Sequence, residues 1–322
     1  MTTQPPRTAA DAARDHLDRV VAVVNGKGGV LKTSIVANVG AELARRGFSV
    51  LLVDLDVSGN LKLDLGMRDP SQDDHGRNIV DAIWSGGETP LRPIVDAGGR
   101  AGLDFLFGGR ALEMVAAMAN STNADHLPAG SVPAQFATAL STLCAAREYD
   151  LVLLDCPPGN ADLQDVALAA ARWVLIPTKT DEASLDGLRG VGPRIRRARD
   201  HNPDLSYLGV VITSHGRTAT RVLREVQDRL DEVSDSLPLF QTTIRHSQAA
   251  AHDCDARRFL GREQGCERGL AQQDREGAQM ALEHEALDPS FPQRELFERY
   301  QRAGLHAVWQ LLEKRQEAQE RR

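Results

Sequence analysis

At 322 residues and 42% apolar content, the chain is long enough to bury a sizeable core, as one large α/β domain or two smaller ones. Its formal charge of −7 argues against nucleic-acid binding by the whole surface, while leaving room for a local basic patch. No apolar run approaches the ~18–20 residues of a membrane-spanning helix, and Met1 to Arg19 lacks the apolar stretch of a secretory leader. A cytoplasmic protein is therefore expected, with no membrane partner.

Residues 1–18 are polar, carry Pro, Ala and Arg without sustained periodicity, and read as a flexible tail. From Arg19 onward, short apolar runs alternate with helical patterns. Strands are expected at Val20–Val24, Val50–Asp54, Leu103–Phe107, Leu151–Asp155, Trp173–Pro177 and Leu208–Thr213. Amphipathic helices are expected at Thr33–Arg46, Ala134–Arg147, Ser184–Asp200 and Thr218–Leu230, the first stopped by Gly47. Continuous apolar strands separated by helices predict a doubly wound, mostly parallel sheet, which binds ligands at the carboxyl ends of its strands. Residues 249–290 break the pattern with a polar run rich in Gln, Glu, Arg, Asp and Gly, read as a variable insert. A last helix, roughly Gln293–Ala318 within the segment 291–322, places Phe297, Tyr300, Val308, Leu311 and Leu312 near one face, for docking on the sheet. The four cysteines, Cys144, Cys156, Cys254 and Cys266, form no C-x-x-C pair and read as unpaired thiols.

The first strand runs into Asn25-Gly26-Lys27-Gly28-Gly29-Val30-Leu31-Lys32-Thr33-Ser34. A strand, a Gly-rich turn and a Lys-Thr pair opening a helix make a cradle for nucleotide phosphates. Backbone N–H groups of Gly26 to Ser34 converge on the β- and γ-phosphates, and the helix adds its positive dipole end. Lys32 is placed to meet the β/γ oxygens and Thr33 to offer its hydroxyl to Mg²⁺. Two departures from G-x-x-x-x-G-K-[ST] stand out: a lysine, Lys27, at the second position, and Leu31 where the pattern has glycine. Leucine there is expected to strain or crowd the turn and to weaken nucleotide binding, turnover or both.

Carboxylates close two further apolar strands. Val53-Asp54-Leu55-Asp56 places Asp54 to support Mg²⁺ or its water shell, and Asp56, a step further out, to orient the attacking water. Leu151 to Asp155 ends in a metal-supporting aspartate and turns through Pro157-Pro158-Gly159, a stiff corner able to sense a γ-phosphate.

With these blocks, the chain resembles the ParA/MinD group of deviant Walker A P-loop ATPases, and within it the ParA partition ATPases. The matching blocks are Lys27-Gly28-Gly29-Val30-x-Lys32-Thr33, Asp54-x-Asp56-x-x-Gly59-Asn60 and Asp155-Cys156-Pro157-Pro158-Gly159. Further on come Ala167-Leu168-x-Ala170-Ala171, Val174-Leu175-Ile176-Pro177 and Ser184-Leu185-x-Gly187-Leu188. The resemblance implies an ATPase domain over 19–248 and ATP with Mg²⁺ as cofactors. It makes Lys27 the signature lysine that reaches a partner subunit's phosphates, Asp56 the residue required for hydrolysis, and Asp155 the Walker B aspartate. It also implies an ATP-dependent homodimer, slow hydrolysis that releases it, and a centromere-binding (ParB-like) partner protein. Val57-Ser58 stands where the group has Pro-Gln, and no Pro-Arg-Asn follows Ile244.

ParA-like dimers bind DNA without sequence preference, through basic side chains on phosphates. Helical spacing puts Arg217, Arg221 and Arg224 on one face, and Arg217-Thr218 resembles the pair at this point of partition ATPases, so these three are the expected DNA contacts. Arg189, Arg194, Arg196, Arg197 and Arg199 form a second basic cluster that reads equally as a solvated helix face. The chain is thus expected at the nucleoid. The alternatives are a MinD-like membrane-associated positioning ATPase and an ATP-binding regulator that scarcely hydrolyses because of Leu31.

Overall fold

The structure is a computed structural model, and it describes residue 14 and residues 16–119, 131–215, 238–240 and 244–245. Seven strands form one sheet: β1 (Val20–Val23), β2 (Val50–Asp54), β3 (Leu103–Leu106), β4 (Leu151–Asp155), β5 (Trp173–Thr178), β6 (Ser206–His215) and β7 (Ile244–Arg245). They lie in the order β3-β2-β4-β1-β5-β6-β7, with every pairing parallel. The described helices are α1 (Lys32–Arg45), α2 (Leu61–Asp64), α3 (Arg77–Trp84), α4 (Glu113–Ala119), α5 (Val132–Ala146), α6 (Ala161–Ala170) and α7 (Glu182–Ala198). This is the doubly wound parallel architecture that the alternation of strands and helices predicts.

The strands are apolar on both faces because both faces are covered. Val20, Ala22, Leu51, Val53, Val152 and Leu154 join one core with residues of α3, α5, α6 and α7. Val21, Val23, Val50, Leu52, Leu151 and Leu153 point the other way, into a second core with Val36, Leu43 and Leu61 of α1 and α2. That alternation is the period-two geometry of a strand. Helix α1 lies so close to β2 that a Cβ on Gly40 would sit 2.5 Å from Leu52 Cδ2. Its end follows from Gly47, at φ +88, whose N–H donates to Ala44 O, while Phe48 N–H donates to Leu43 O. Helix α1 is thereby fixed against β2 and at its C-terminal end, and β1, which leads into it, lies between β4 and β5 inside the sheet.

Observed and expected elements differ mostly at their ends. Strand β6 is longer than Leu208–Thr213, and each of the three described helices that were expected starts one or two residues earlier than its sequence pattern. Helices α2, α3, α4 and α6 were not singled out from the sequence: α2 is a single turn and α6 is rich in Ala and Leu with a weak period, whereas α3 is short but clearly amphipathic, burying Ile79, Val80, Ala82 and Ile83. Where the tail was expected, Leu17 is buried and Arg14 Nη1 donates to Ala169 O at 2.7 Å. The helix Thr218–Leu230, the insert 249–290 and the helix Gln293–Ala318 lie outside the described residues. No helix among the described residues is long and apolar enough to cross a membrane.

Candidate functional site

The loop after β1 is anchored by a side chain that sequence reasoning passed over. Asn25 is fully buried; its Nδ2 donates to Pro177 O at the end of β5, and its Oδ1 accepts from Lys27 N, both at 2.8 Å. Its only signal in the sequence was its place between an apolar strand and the first glycine. Past it, residues 26–29 are exposed, then Val30 is buried and its carbonyl accepts from Thr213 Oγ1 of β6. The same hydroxyl lies 3.2 Å from Thr178 O, so loop, β5 and β6 meet at one buried atom.

Leu31 caps α1 in the left-handed region, at φ 67 and ψ 26, without a capping side chain. Only three non-glycine residues among those described take a positive φ, and Leu31 alone of them lies in this loop. The strain expected from the sequence has a backbone cause: a Cβ in this region costs about 1–2 kcal/mol. Directly after it, Lys32 folds back so that its Nζ donates to Lys27 O at 3.0 Å. Burial pushes the Lys32 pKa down, while Asp155, Cys156 and Asp56 push it up. Lys27 itself is exposed, its backbone tied at both N–H and carbonyl.

Asp54 and Asp155 are Cα partners across β2 and β4. Asp54 is wholly buried and holds the following turn: Oδ1 accepts from Asp56 N at 2.9 Å and Oδ2 from Leu61 N at 3.2 Å. Burial and the neighbouring Asp155 charge raise its pKa well above the usual carboxylate range, against these two N–H bonds. Asp56, half-buried, turns the chain again by accepting from Ser58 N at 2.8 Å. Asp155 differs: both its carboxylate oxygens are buried without a hydrogen bond of ordinary geometry. Burial pushes its pKa up to about 7; the nearby Thr33 hydroxyl and Lys32 ammonium pull it down, and Asp56 and Asp64 push it up. Beyond Asp155, Pro158 packs on Gly28 of the loop, Gln164 Nε2 donates to Pro157 O at 2.7 Å, and Asn160 caps α6. Burial drives the Cys156 thiol pKa far up, which leaves it inert beside the site.

Gly108 and Gly109 were also missed. A Cβ on Gly108 would lie 2.6 Å from Asp54 O and 2.7 Å from its Oδ1, so only glycine lets β3 close against the Asp54 turn. The readable signal was a Gly-Gly pair straight after an apolar strand.

The residues fit a hydrated divalent cation and a nucleotide. Two orphaned buried carboxylate oxygens next to a threonine hydroxyl at a helix start form an acceptor set in search of a cation. An exposed glycine-rich turn opening a 14-residue helix, with a lysine folded beneath it, suits phosphate. Thr33 and Asp155 lie together with Asp54 beside them in register, and Lys27, Lys32 and Asp56 lie near one another. Arg217, Arg221 and Arg224 lie outside the described residues. In the other basic cluster, Arg194 Nη1 donates to Ala161 O at 3.0 Å and sits 3.8 Å from Asp165, and Arg199 donates to Leu205 O and stacks on Tyr207. Those two have structural work within the fold, whereas Arg196 and Arg197 are exposed.

The chain is similar to known proteins. A family model described as "AAA domain" matches residues 18–207. The chain is 35% identical over 213 residues to the chromosome-partitioning ATPase Soj of Thermus thermophilus, covering 66% of this chain and 76% of that one. It is 32% identical to the chromosome partitioning protein ParA of Myxococcus xanthus, over 65% of this chain and 70% of the relative. Among solved structures, a cobyrinic acid a,c-diamide synthase from Mycobacterium smegmatis with bound ATP analog and magnesium superposes with a TM-score of 0.53 at 29% identity, covering 70% of this chain and 86% of that one.

Proposed function

We propose a function from one premise: the chain belongs to the AAA-domain family it matches, and within it to the ParA-type partition ATPases. On that premise it is a P-loop ATPase of DNA partition. It binds ATP, pairs with a second copy, holds DNA without sequence preference, and lets go after slow hydrolysis. The observation that carries this reading is Asp155, whose two buried oxygens have no hydrogen bond of ordinary geometry and lie beside the Thr33 hydroxyl at the start of α1, behind the phosphate loop.

In this mechanism the backbone N–H groups from Gly26 to Ser34 bind the phosphates, and Lys32 neutralises the β/γ oxygens from below. Thr33 and Asp155 would hold Mg²⁺, with Asp54 keeping the turn that presents Asp56. The cation, when bound, offsets the charge of the phosphates. Asp56 orients the attacking water and accepts its proton. Lys27, exposed and tied only through its backbone, serves the partner copy's phosphates, where it offsets charge that grows during transfer. Arg217, Arg221 and Arg224 supply the DNA contacts, and a ParB-like protein accelerates the cycle. The protein acts in the cytoplasm, on the nucleoid.

The test is DNA binding by fluorescence anisotropy with ATP, ADP or no nucleotide, at low and high salt. ATP-dependent binding that weakens steeply with salt is expected. Absence of ATP-dependent binding at low salt overturns the partition reading. One observation favours a second reading: the left-handed Leu31. If nucleotide binds but turnover stays undetectable with DNA present, the chain is an ATP-binding regulator.

A further inference from the structure

We propose that Lys179 is a third lysine of the nucleotide site, donating from just beyond the end of β5 to the phosphates of the bound nucleotide. The proposal rests on the nucleotide reading above and adds a residue that none of the matching sequence blocks contains. Its ammonium lies 3.9 Å from where a Cβ on Gly29 would stand, at the exposed part of the phosphate loop where φ is +71. Lys179 is half-buried at the carboxyl end of β5, directly after the fully buried Thr178.

Its position is built into the fold. Thr213 Oγ1 lies within 3.3 Å of both Val30 O in the loop and Thr178 O in β5, so the residue after Thr178 is fixed relative to the loop. Thr178 Oγ1 in turn donates to Lys179 O at 3.3 Å. Two other lysines have carboxylates beside them: Asp155 and Asp56 near Lys32, and Asp73 paired with Lys62. No carboxylate among the described residues forms an ion pair with Lys179. An ammonium held against an anion-binding turn, without an acid of its own, matches an anionic ligand.

The sheet order gives the contact its direction. Strand β1 lies between β4 and β5, so Asp155 flanks the loop on one side and Lys179 on the other. A polyphosphate crossing the loop then meets carboxylates with their cation on the β4 flank and a bare ammonium on the β5 flank.

The experiment measures ADP and ATP affinity, with Mg²⁺, by displacement of a fluorescent nucleotide from the full chain and its Lys179→Ala, Lys179→Arg and Lys32→Ala variants. Lys179→Ala is expected to weaken binding about tenfold, the loss of one charge-assisted hydrogen bond, while Lys179→Arg stays within about threefold. The nucleotide-free melting temperature of Lys179→Ala should match that of the wild type. Unchanged affinity in Lys179→Ala, with Lys32→Ala binding abolished, overturns the proposal and leaves the nucleotide reading intact. A loss of affinity that follows a lowered nucleotide-free melting temperature overturns it too, because Lys179 then only supports the loop. Wild-type protein that binds neither nucleotide overturns both.

Discussion

Asp54 and Asp155 stand side by side in register on adjacent parallel strands, yet only Asp54 has its oxygens satisfied. One carboxylate organises a turn, and the other waits for a cation at a cost to the metal-free fold. Asp155→Asn is therefore expected to stabilise the metal-free protein at pH 7.5 by roughly 2 kcal/mol, well under the ~4 kcal/mol that the full shift would give. The same change should abolish the gain in melting temperature on adding Mg²⁺ and ATP. A variant less stable than wild type without metal contradicts the account.

The pH dependence has a definite sign. Asp155 titrates near 7 when folded, above the usual carboxylate value, so the folded state holds its proton more tightly than the unfolded chain. Its contribution is fully present below about pH 4 and is lost as the pH rises toward 7. The stability of metal-free wild type, measured against Asp155→Asn in urea, should fall across that window and level off above it. A difference independent of pH would show that Asp155 is ionised throughout.

Leu31→Gly removes the left-handed penalty at the start of α1, offset in part by greater freedom of the unfolded chain. The net gain in stability is expected at up to about 1 kcal/mol, with tighter ATP binding. Leu31→Ala keeps the backbone demand but removes the bulk. Improved affinity in both variants would assign the effect to crowding, and in Leu31→Gly alone to backbone strain. Unchanged affinity in both would mean that the loop accommodates leucine.

Gly108→Ala forces a methyl against Asp54 at distances no Cβ tolerates. A loss of about 1–3 kcal/mol in stability is expected, as for overpacking elsewhere, together with weaker Mg²⁺-dependent nucleotide binding. Gly190→Ala is the control, since a Cβ there meets nothing within 4 Å and no positive φ is required. Equal effects of the two substitutions in a denaturation series would dismiss the packing argument.

Asp56→Ala leaves the Asp54 turn its backbone bond from residue 56 and removes the outer carboxylate together with the bond it accepts from Ser58 N. Nucleotide affinity should stay within about threefold, while kcat falls by about a hundredfold or more. ATP-dependent DNA binding should then persist after ATP addition instead of decaying. Parallel loss of affinity and turnover would make Asp56 a binding residue.

How much of this was written in the sequence depends on where each interaction is made. Asp54, Asp56 and Asp155 were readable because each follows a continuous apolar strand, and such strands neighbour one another in a parallel sheet. Lys32 and Thr33 were readable from spacing within a few residues. Asn25, Gly108 and Lys179 were not, since their partners lie far along the chain: Pro177, the Asp54 turn and Gly29. The register that pairs Asp54 with Asp155 is likewise a property of the assembled sheet, and no local pattern encodes it. The conflict at Leu31 was visible in advance, because the loop pattern has glycine at that place and the left-handed backbone found there is one that glycine adopts freely.

The amide of Asn25 has a thermodynamic consequence. By fixing Lys27 N and Pro177 O together, it orders the front of the loop when the chain folds, before a ligand arrives. The entropy of that ordering is charged to folding, so association with nucleotide need not include a slow closing step. The reverse also holds: whatever loosens the end of β5 will disorganise the loop from a strand that does not itself belong to it.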